Sequence, residues 1–133
     1  MPHLTLDYSG NLRDTGRFDV LCAALARTLV AFEADGKRVY PVGGVRVRAF
    51  AADHWCIGDG RTDAAYVHAR VSMAAGRSAA IRKATGDALL DVMKAHFADL
   101  FARQGLALSL EITEFGEEGT WKHNNLHARM RGT

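Results

Sequence analysis

Hydrophobic and polar residues alternate along four segments of the chain, and apolar residues recur at helical spacing along two others. The alternation predicts four strands, at residues 3–8, 45–50, 66–73 and 106–112. The three- and four-residue spacing of apolar residues predicts a first helix at 18–34. It predicts a second helix that has Ser78 as its N-cap and ends at Gly105. The predicted order is strand, helix, strand, strand, helix, strand.

This order contains two strand–helix–strand units in tandem. A right-handed helical crossover between parallel strands in each unit would build one α/β (α+β) domain over residues 1–133, with a four-stranded sheet and both helices on one face. The other sheet face is expected to be apolar and to need cover, which in so short a chain would come from other subunits. The polar segment 116–133 is expected to form loops or a short helix.

Composition and charge exclude some classes of partner. Lys and Arg total 17 against 15 Asp and Glu, and this net charge of +2 is too balanced to indicate a nucleic-acid or membrane partner. Arginine dominates the cations, and its planar guanidinium suits bidentate binding of carboxylates. A GC-rich gene would give the same arginine excess, so composition alone does not identify a ligand.

Neither the cysteines nor the start of the chain indicates export. Cys22 and Cys56 form no CxxC pair and no metal-ligand spacing, so reduced thiols are expected. The first residues lack the basic start and long apolar run of a secretory signal, because Asp7 interrupts them. No stretch of the sequence approaches transmembrane length. We therefore expect a cytoplasmic protein.

Pro2 is the most informative single residue. Removal of Met1 is efficient ahead of a small residue, and it would leave a secondary amine at the chain start. An α-amine has an ordinary pKa of about 8, which burial or nearby arginines lower. A neutral amine at pH 7 can take a proton and return it elsewhere, which is general acid–base catalysis. A Met-Pro start is by itself a weak signal, since proline also fits an edge strand.

Five segments that occur in order strengthen this interpretation. They have the sequences PHLTL, VGGVRVR, DGRTDAAYVH, AGRS and KHNNLH, at residues 2–6, 42–48, 59–68, 75–78 and 122–127. Together they resemble the 5-carboxymethyl-2-hydroxymuconate isomerase family of the tautomerase superfamily. The resemblance spans nearly the whole chain. No single segment is decisive, but the ordered set is specific.

The resemblance implies a tautomerase fold, a homotrimer and an isomerase of aromatic-acid degradation that uses neither a metal nor an organic cofactor. It would convert a dienol-type muconate to an unsaturated ketone, with the amine of Pro2 as general base and acid. Arg46 and Arg77 would bind the carboxylates of this small-molecule substrate, and His3 would line the pocket. Arg77 also precedes a predicted helix N-terminus, where unpaired N–H groups attract anions.

Other interpretations of individual residues stay open. Arg46 and Arg48 could belong to a solvated strand face or to salt bridges between subunits, and Arg48 is expected to be structural. His123 and His127 could share a helix face, but two histidines alone make a poor zinc site. Trp55 could form an apolar pocket wall, although packing in the core is its more usual role.

Two other functions remain open on the sequence alone. The first is another amino-terminal-proline tautomerase with a different keto-acid substrate, because the segments at 33–39 and 116–121 depart from the family and could reshape the pocket. The second is a trimeric binding protein that keeps the fold without the chemistry. Retention of Met1 would favour the binding protein, since it makes the Pro2 nitrogen an amide.

Overall fold

The computed structural model describes residues 1–130, in which two long helices lie against a four-stranded sheet. The strands are β1 His3–Ser9, β2 Glu33–Ala34, β3 Lys37–Arg38, β4 Arg46–Ala52, β5 Ala64–Ala74 and β6 Gly105–Phe115. The helices are α1 Phe18–Ala31, α2 Ala79–His96, α3 Ala98–Arg103 and α4 Leu126–Met130. The predicted domain and the predicted polar segment both run to Thr133, and their residues 131–133 lie outside the described residues.

The main sheet has the strand order β4-β1-β5-β6. β1 runs parallel to β4, and β5 runs parallel to β6, so each pair forms one of the predicted strand–helix–strand units. The two units meet through an antiparallel pairing of β1 with β5, in which Leu6 lies opposite Ala69. The predicted sheet with two helices on one face is confirmed. The starts of β1 and β4 and the ends of β5 and β6 therefore lie at the same edge of the sheet.

The hydrophobic core lies between one sheet face and the two long helices. Alternate residues of the two central strands are completely buried on this face: Leu4, Leu6, Val67, Ala69, Val71 and Met73. Residues of α1 and α2 that pack against them are also buried: Leu21, Leu25, Leu29, Leu89 and Met93. Burial of each leucine side chain stabilises the fold by roughly 1.5–3 kcal/mol. Both helices dock through the faces that their apolar spacing predicts.

The opposite sheet face is polar, so the expectation of an apolar face that needs cover is wrong. Residues on this face include His3, Thr5, Arg46, Arg48, His68, Arg70, Ser109 and Glu111. Some of these side chains bond one another, since the Glu111 carboxylate accepts from Arg70 Nε at 2.7 Å and lies 3.3 Å from His68 Nε2. Water can solvate the other polar side chains of this face. Exposure of an apolar face therefore gives no argument for a trimer.

The first helix is shorter than predicted. It spans Phe18–Ala31 rather than 18–34, because the chain turns back at Asp35 and Gly36 and pairs β2 with β3 in a hairpin. Both turn residues have positive φ, 54° and 75°. An Asp-Gly pair adopts these angles readily in a two-residue hairpin turn. The pair thus marks a hairpin rather than the end of the helix.

The second predicted helix is divided into α2 and α3 at Phe97. Ser78 caps α2 as expected, since its hydroxyl accepts the Ile81 N–H at 3.2 Å. Phe97 has φ −100° and ψ 15° and is buried, whereas Phe101, an apolar residue within the predicted second helix, is 63% exposed. Within residues 1–130, none of the helices combines the length and apolar character needed to cross a membrane.

The chain after β6 crosses the sheet edge where β1 and β4 begin. It leaves β6 at Phe115, whose carbonyl accepts a backbone N–H from the turn after β5 at 2.9 Å, and it ends in α4. α4 packs on the 3-10 turn Val42–Gly44 that precedes β4. Gly43 permits this approach, because a Cβ there would lie 2.8 Å from the His127 backbone nitrogen. Residues 116–125, which we call the C-terminal strap, are thereby held at both ends.

We expect Gly43→Ala to displace α4 and loosen the C-terminal strap, since the added methyl would meet backbone atoms of α4. The substitution should destabilise the fold by about 1–3 kcal/mol, as overpacking does, and should speed hydrogen exchange in residues 116–130. Gly86→Ala is the matched control, because its Cβ would meet only side chains, at 3.6 Å. It should stabilise α2 by about 0.5–1 kcal/mol. Unchanged exchange in Gly43→Ala would contradict the docking of α4.

Candidate active site

A cavity of about 590 Å³ lies at the sheet edge that the C-terminal strap crosses. The first residues of β1 and β4 and the last residues of β5 and β6 form one wall, and the strap forms the other. The lining residues are Met1, His3, Thr5, Arg46, Arg48, Arg70, Ser72, Phe115, Thr120, Trp121, Lys122, His123 and Asn124. A cavity of this size accommodates a small organic acid.

Strand alternation decides which side chains of the sheet reach the cavity. On the open face, His3 of β1 lies beside Arg46 of β4, and Thr5 lies beside Arg48. On its other side Thr5 lies opposite Arg70 of β5. The pairing therefore places three guanidinium groups on one sheet face, on the two strands that flank β1. The apolar residues that alternate with them point into the core.

The cavity is strongly cationic. Arg46, Arg48, Arg70 and Lys122 line it, and no aspartate or glutamate among residues 1–130 does so. Arg70 is paired with Glu111 at 2.7 Å. The other three cations have no acidic partner in the part of the chain that the structure describes. Such a cluster favours a ligand that carries several carboxylates.

His3 is held against Arg46. Arg46 Nη1 donates to His3 Nε2 at 3.2 Å, because a guanidinium can only donate hydrogen bonds. The ring is therefore neutral, with its proton on Nδ1. Burial lowers the pKa of His3, and the charges of Arg46, Arg48 and the chain start lower it further. His3 stays neutral at pH 7 and can donate one hydrogen bond to a ligand.

Pro2 is buried at the start of β1, and Met1 ahead of it lines the cavity. The Pro2 carbonyl accepts the Arg46 N–H at 3.2 Å, which holds the chain start against β4. While Met1 is attached, the Pro2 nitrogen is an amide and has no basicity. The free amine of this form belongs to Met1.

The pKa of the Met1 amine shows how this environment affects a basic group. Its pKa is lowered from 8.0 to about 6, first by burial and then by the charges of Arg77, Lys122 and Arg46. The protonated amine is disfavoured here because it loses part of its water and lies near three fixed cations. The Met1 amine is therefore mostly neutral at pH 7.

Arg77 lies beside the cavity rather than in its wall. Its guanidinium is 4.7 Å from the centre of the buried Tyr40 ring. It also donates to the Ala74 and Val39 carbonyls, at 3.2 and 3.5 Å. These contacts orient the side chain, and among the charged groups Arg77 has the largest effect on the pKa of the Met1 amine.

The predicted site residues have different places in the structure. His3 and Arg46 line the cavity with Met1, whereas Arg77 acts on the chain start from the side. Arg48, which was expected to be structural, also lines the cavity. Trp55 lies in a separate surface pocket formed by the loop after β4.

Arg70, Lys122 and Trp121 also line the cavity, and the sequence did not identify them. Arg70 shares a strand face with other polar residues, but alternation does not say which strand lies next to β1. Lys122 and Trp121 belong to the C-terminal strap, whose path depends on the docking of α4. That segment carries no periodic signal from which its path could be predicted.

Comparisons with known proteins agree with this architecture. The profile of the 5-carboxymethyl-2-hydroxymuconate isomerase family matches residues 2–130. The 5-carboxymethyl-2-hydroxymuconate Delta-isomerase of Escherichia coli is 37% identical over 131 residues, which are 98% of this chain and 100% of that protein. The crystal structure of a 5-carboxymethyl-2-hydroxymuconate isomerase from Deinococcus radiodurans R1 is 46% identical and has a TM-score of 0.89, over 98% of this chain and 94% of that chain.

A more distant structure bears on the fold alone. The native fused 4-OT is 19% identical and has a TM-score of 0.66, over 96% of this chain and 98% of that chain. Its fold is that of the tautomerase superfamily, which confirms the predicted fold class. The chain has the tautomerase fold, and it is an isomerase that belongs to the 5-carboxymethyl-2-hydroxymuconate isomerase family.

Proposed function

We propose that the protein isomerises a 2-hydroxymuconate-type acid, with the amine of Pro2 as base once Met1 has been removed. The observation that supports this is the buried Pro2 beside a cavity lined by four cations and, within residues 1–130, by no carboxylate. Removal of Met1 would vacate the part of the cavity that it lines. The amine would then belong to Pro2, the one kind of residue that can supply a secondary amine at a chain start.

The names of the relatives suggest the substrate. 5-Carboxymethyl-2-hydroxymuconate is a six-carbon diene with a carboxylate at each end, a hydroxyl on C2 and a carboxymethyl branch on C5. It carries three carboxylates, and the cavity offers Arg46, Arg48, Arg70 and Lys122 to bind them. A guanidinium can hold a carboxylate through two parallel hydrogen bonds. The charges of this substrate and of the cavity are complementary.

The proposed reaction moves one proton and shifts the double bonds. The Pro2 nitrogen takes the proton of the 2-hydroxyl, and the O–H electron pair forms the C2 carbonyl. The C2=C3 pair moves to C3=C4, and the C4=C5 pair bonds C5 to the proton that Pro2 returns. Atoms and electrons balance within the substrate and one amine, so the step requires no oxidant or reductant.

The cations around the chain start would stabilise the intermediate. Negative charge develops on the C2 oxygen when its proton leaves, and fixed cations nearby lower the energy of that state. We assign Arg46 and Arg77 to the carboxylate and oxygen at this end of the substrate. His3 would donate its Nδ1 proton to the same group, since its Nε2 is engaged by Arg46.

Blocking the Pro2 nitrogen should abolish the isomerisation. A leucine inserted between Met1 and Pro2 keeps this nitrogen in an amide, because a large second residue prevents removal of Met1. We expect kcat/KM on 5-carboxymethyl-2-hydroxymuconate to fall by about 10²–10⁴-fold, the usual contribution of general acid–base catalysis. Intact-mass spectrometry of both proteins would verify which chain start each one carries.

Two controls make this experiment decisive. Pro2→Ala keeps an α-amine of different basicity and flexibility, so it should retain part of the activity that the insertion removes. Equal activity of the wild type and the insertion variant would exclude Pro2 as the base. An inactive wild type with a free Pro2 amine would point to a different keto acid or to a binding protein of the same fold.

The pH profile should reflect the cations near the amine. Only the neutral amine accepts a proton, so activity is lost as pH falls through the pKa of the base. Burial and the nearby charges together lower the pKa of the Met1 amine to about 6, and they should also keep that of Pro2 below the ordinary value of about 8. Arg77→Met removes one cation, so it should move the acidic limb of kcat/KM to higher pH. Arg103→Met, an exposed position on α3, should not move it. An unmoved limb in Arg77→Met would refute this account of the base.

We also propose that the protein forms a homotrimer. Members of the tautomerase superfamily are generally oligomers, and the polar sheet face here would be a surface for contacts between subunits. Light scattering during size-exclusion chromatography should give about three times the 14.5 kDa of one chain. A particle with the mass of one chain would rule out the trimer.

A further inference from the structure

Lys122 differs from the other cations of the cavity because it belongs to the C-terminal strap. Arg46 and Arg48 on β4 and Arg70 on β5 lie on the two sides of β1, and they line the cavity wall that the sheet face forms. Lys122 reaches the cavity from the other wall, and its Nζ lies 3.9 Å from Met1 Sδ. It has no acidic partner among residues 1–130. Removal of Met1 takes its sulfur contact away and leaves the ammonium free to meet a ligand.

The C-terminal strap holds the backbone on both sides of Lys122. Before it, Thr120 Oγ1 donates to the Gly116 carbonyl at 2.9 Å. After it, the Asn124 side-chain oxygen accepts the first N–H of α4 at 3.1 Å, and α4 packs on Val42–Gly44. The Lys122 ammonium is therefore attached to an ordered segment, so less backbone conformational entropy is lost when a ligand binds.

The proposed substrate presents carboxylates in two directions. Its conjugated diene and two end carboxylates share a plane, which suits the wall of strand arginines on one sheet face. The branch on C5 contains a saturated methylene, about which the third carboxylate can rotate out of that plane. A cation on the opposite wall can meet it there. A lysine suits this task, because its ammonium is a compact charge on a flexible stem.

We infer that Lys122 binds the branch carboxylate and thereby selects branched tricarboxylates over unbranched 2-hydroxymuconate. This inference rests on the proposed function and adds a residue that determines specificity without moving the proton. Trp121 beside it is 89% exposed and lines the same wall. Its ring offers an apolar surface to the diene between the two sets of cations.

Lys122→Gln tests the inference when kcat/KM is measured on both acids. Both rates are measured at a pH above the acidic limb, where the loss of the Lys122 charge near the amine no longer alters them. We expect a fall of about 10–100-fold on 5-carboxymethyl-2-hydroxymuconate, the range for one hydrogen bond between charged groups, and little change on 2-hydroxymuconate. Lys122→Arg should restore most of the preference for the branched acid. Lys94→Gln is the matched control, because Lys94 is exposed on α2 away from the cavity and should change neither value.

Two results would overturn the inference. An equal fall on both acids would mean that Lys122 serves a step common to them, or the structure of the strap. No fall on the branched acid would mean that Lys122 does not bind it. Thermal unfolding of each variant would identify a structural effect, which should be absent because the Lys122 side chain is exposed.

Failure of the proposed function has a different signature. In that case the wild type with a free Pro2 amine would isomerise neither acid. Calorimetric titration of the same two acids into wild type and Lys122→Gln then decides the inference separately. Loss of the preference for the branched acid in the variant would support the role of Lys122. Affinities for each acid that are the same in the wild type and the variant would refute it.

Discussion

The pairing of β1 with its two neighbours is the constraint on which the rest of the structure depends. β1 is parallel to β4 and antiparallel to β5, so two strand starts and two strand ends meet at one edge. The same pairing sets the register that directs leucines to the helices and arginines to the open face. A slip of one residue would bury the arginines and expose the leucines. A single strand register therefore determines both the hydrophobic core and the cationic cavity, which lie on opposite faces of the sheet.

Concentrated positive charge destabilises a folded protein through self-repulsion, and local contacts limit that effect here. Arg70 is neutralised by Glu111, and Arg77 lies over the ring of the buried Tyr40. The remaining cations of the cavity are exposed or half-buried, so water and salt screen them. The core beneath the sheet contains none of these charges. The fold therefore tolerates a cationic cavity because its packing and its charges lie on opposite sides of the sheet.

The strands, the helices and their buried faces could be predicted because the spacing of apolar residues reflects burial directly. The helix boundaries could not be predicted in the same way. An Asp-Gly pair is compatible with either a helix end or a hairpin, and the break between α2 and α3 depends on tertiary packing. The site residues likewise include some that the sequence predicts and some that it does not. Pro2 and Arg46 lie in segments typical of the family, whereas Arg70 lies outside them and reaches the cavity only through the order of the strands. Alternation assigns a residue to a face but carries no information about which strand lies beside it.

In the proposed mechanism, the effect of the cavity's cations on the base would weaken when the substrate binds. In the free protein they oppose protonation, and burial with these charges lowers the pKa of the Met1 amine to about 6. A bound tricarboxylate offsets their charge, so the amine gains affinity for a proton while the 2-hydroxyl lies beside it. The proton can then pass to C5 of the dienolate, which the same cations retain. In the proposed mechanism, substrate binding and base strength would be coupled through charge, and this coupling would require no movement of the fold.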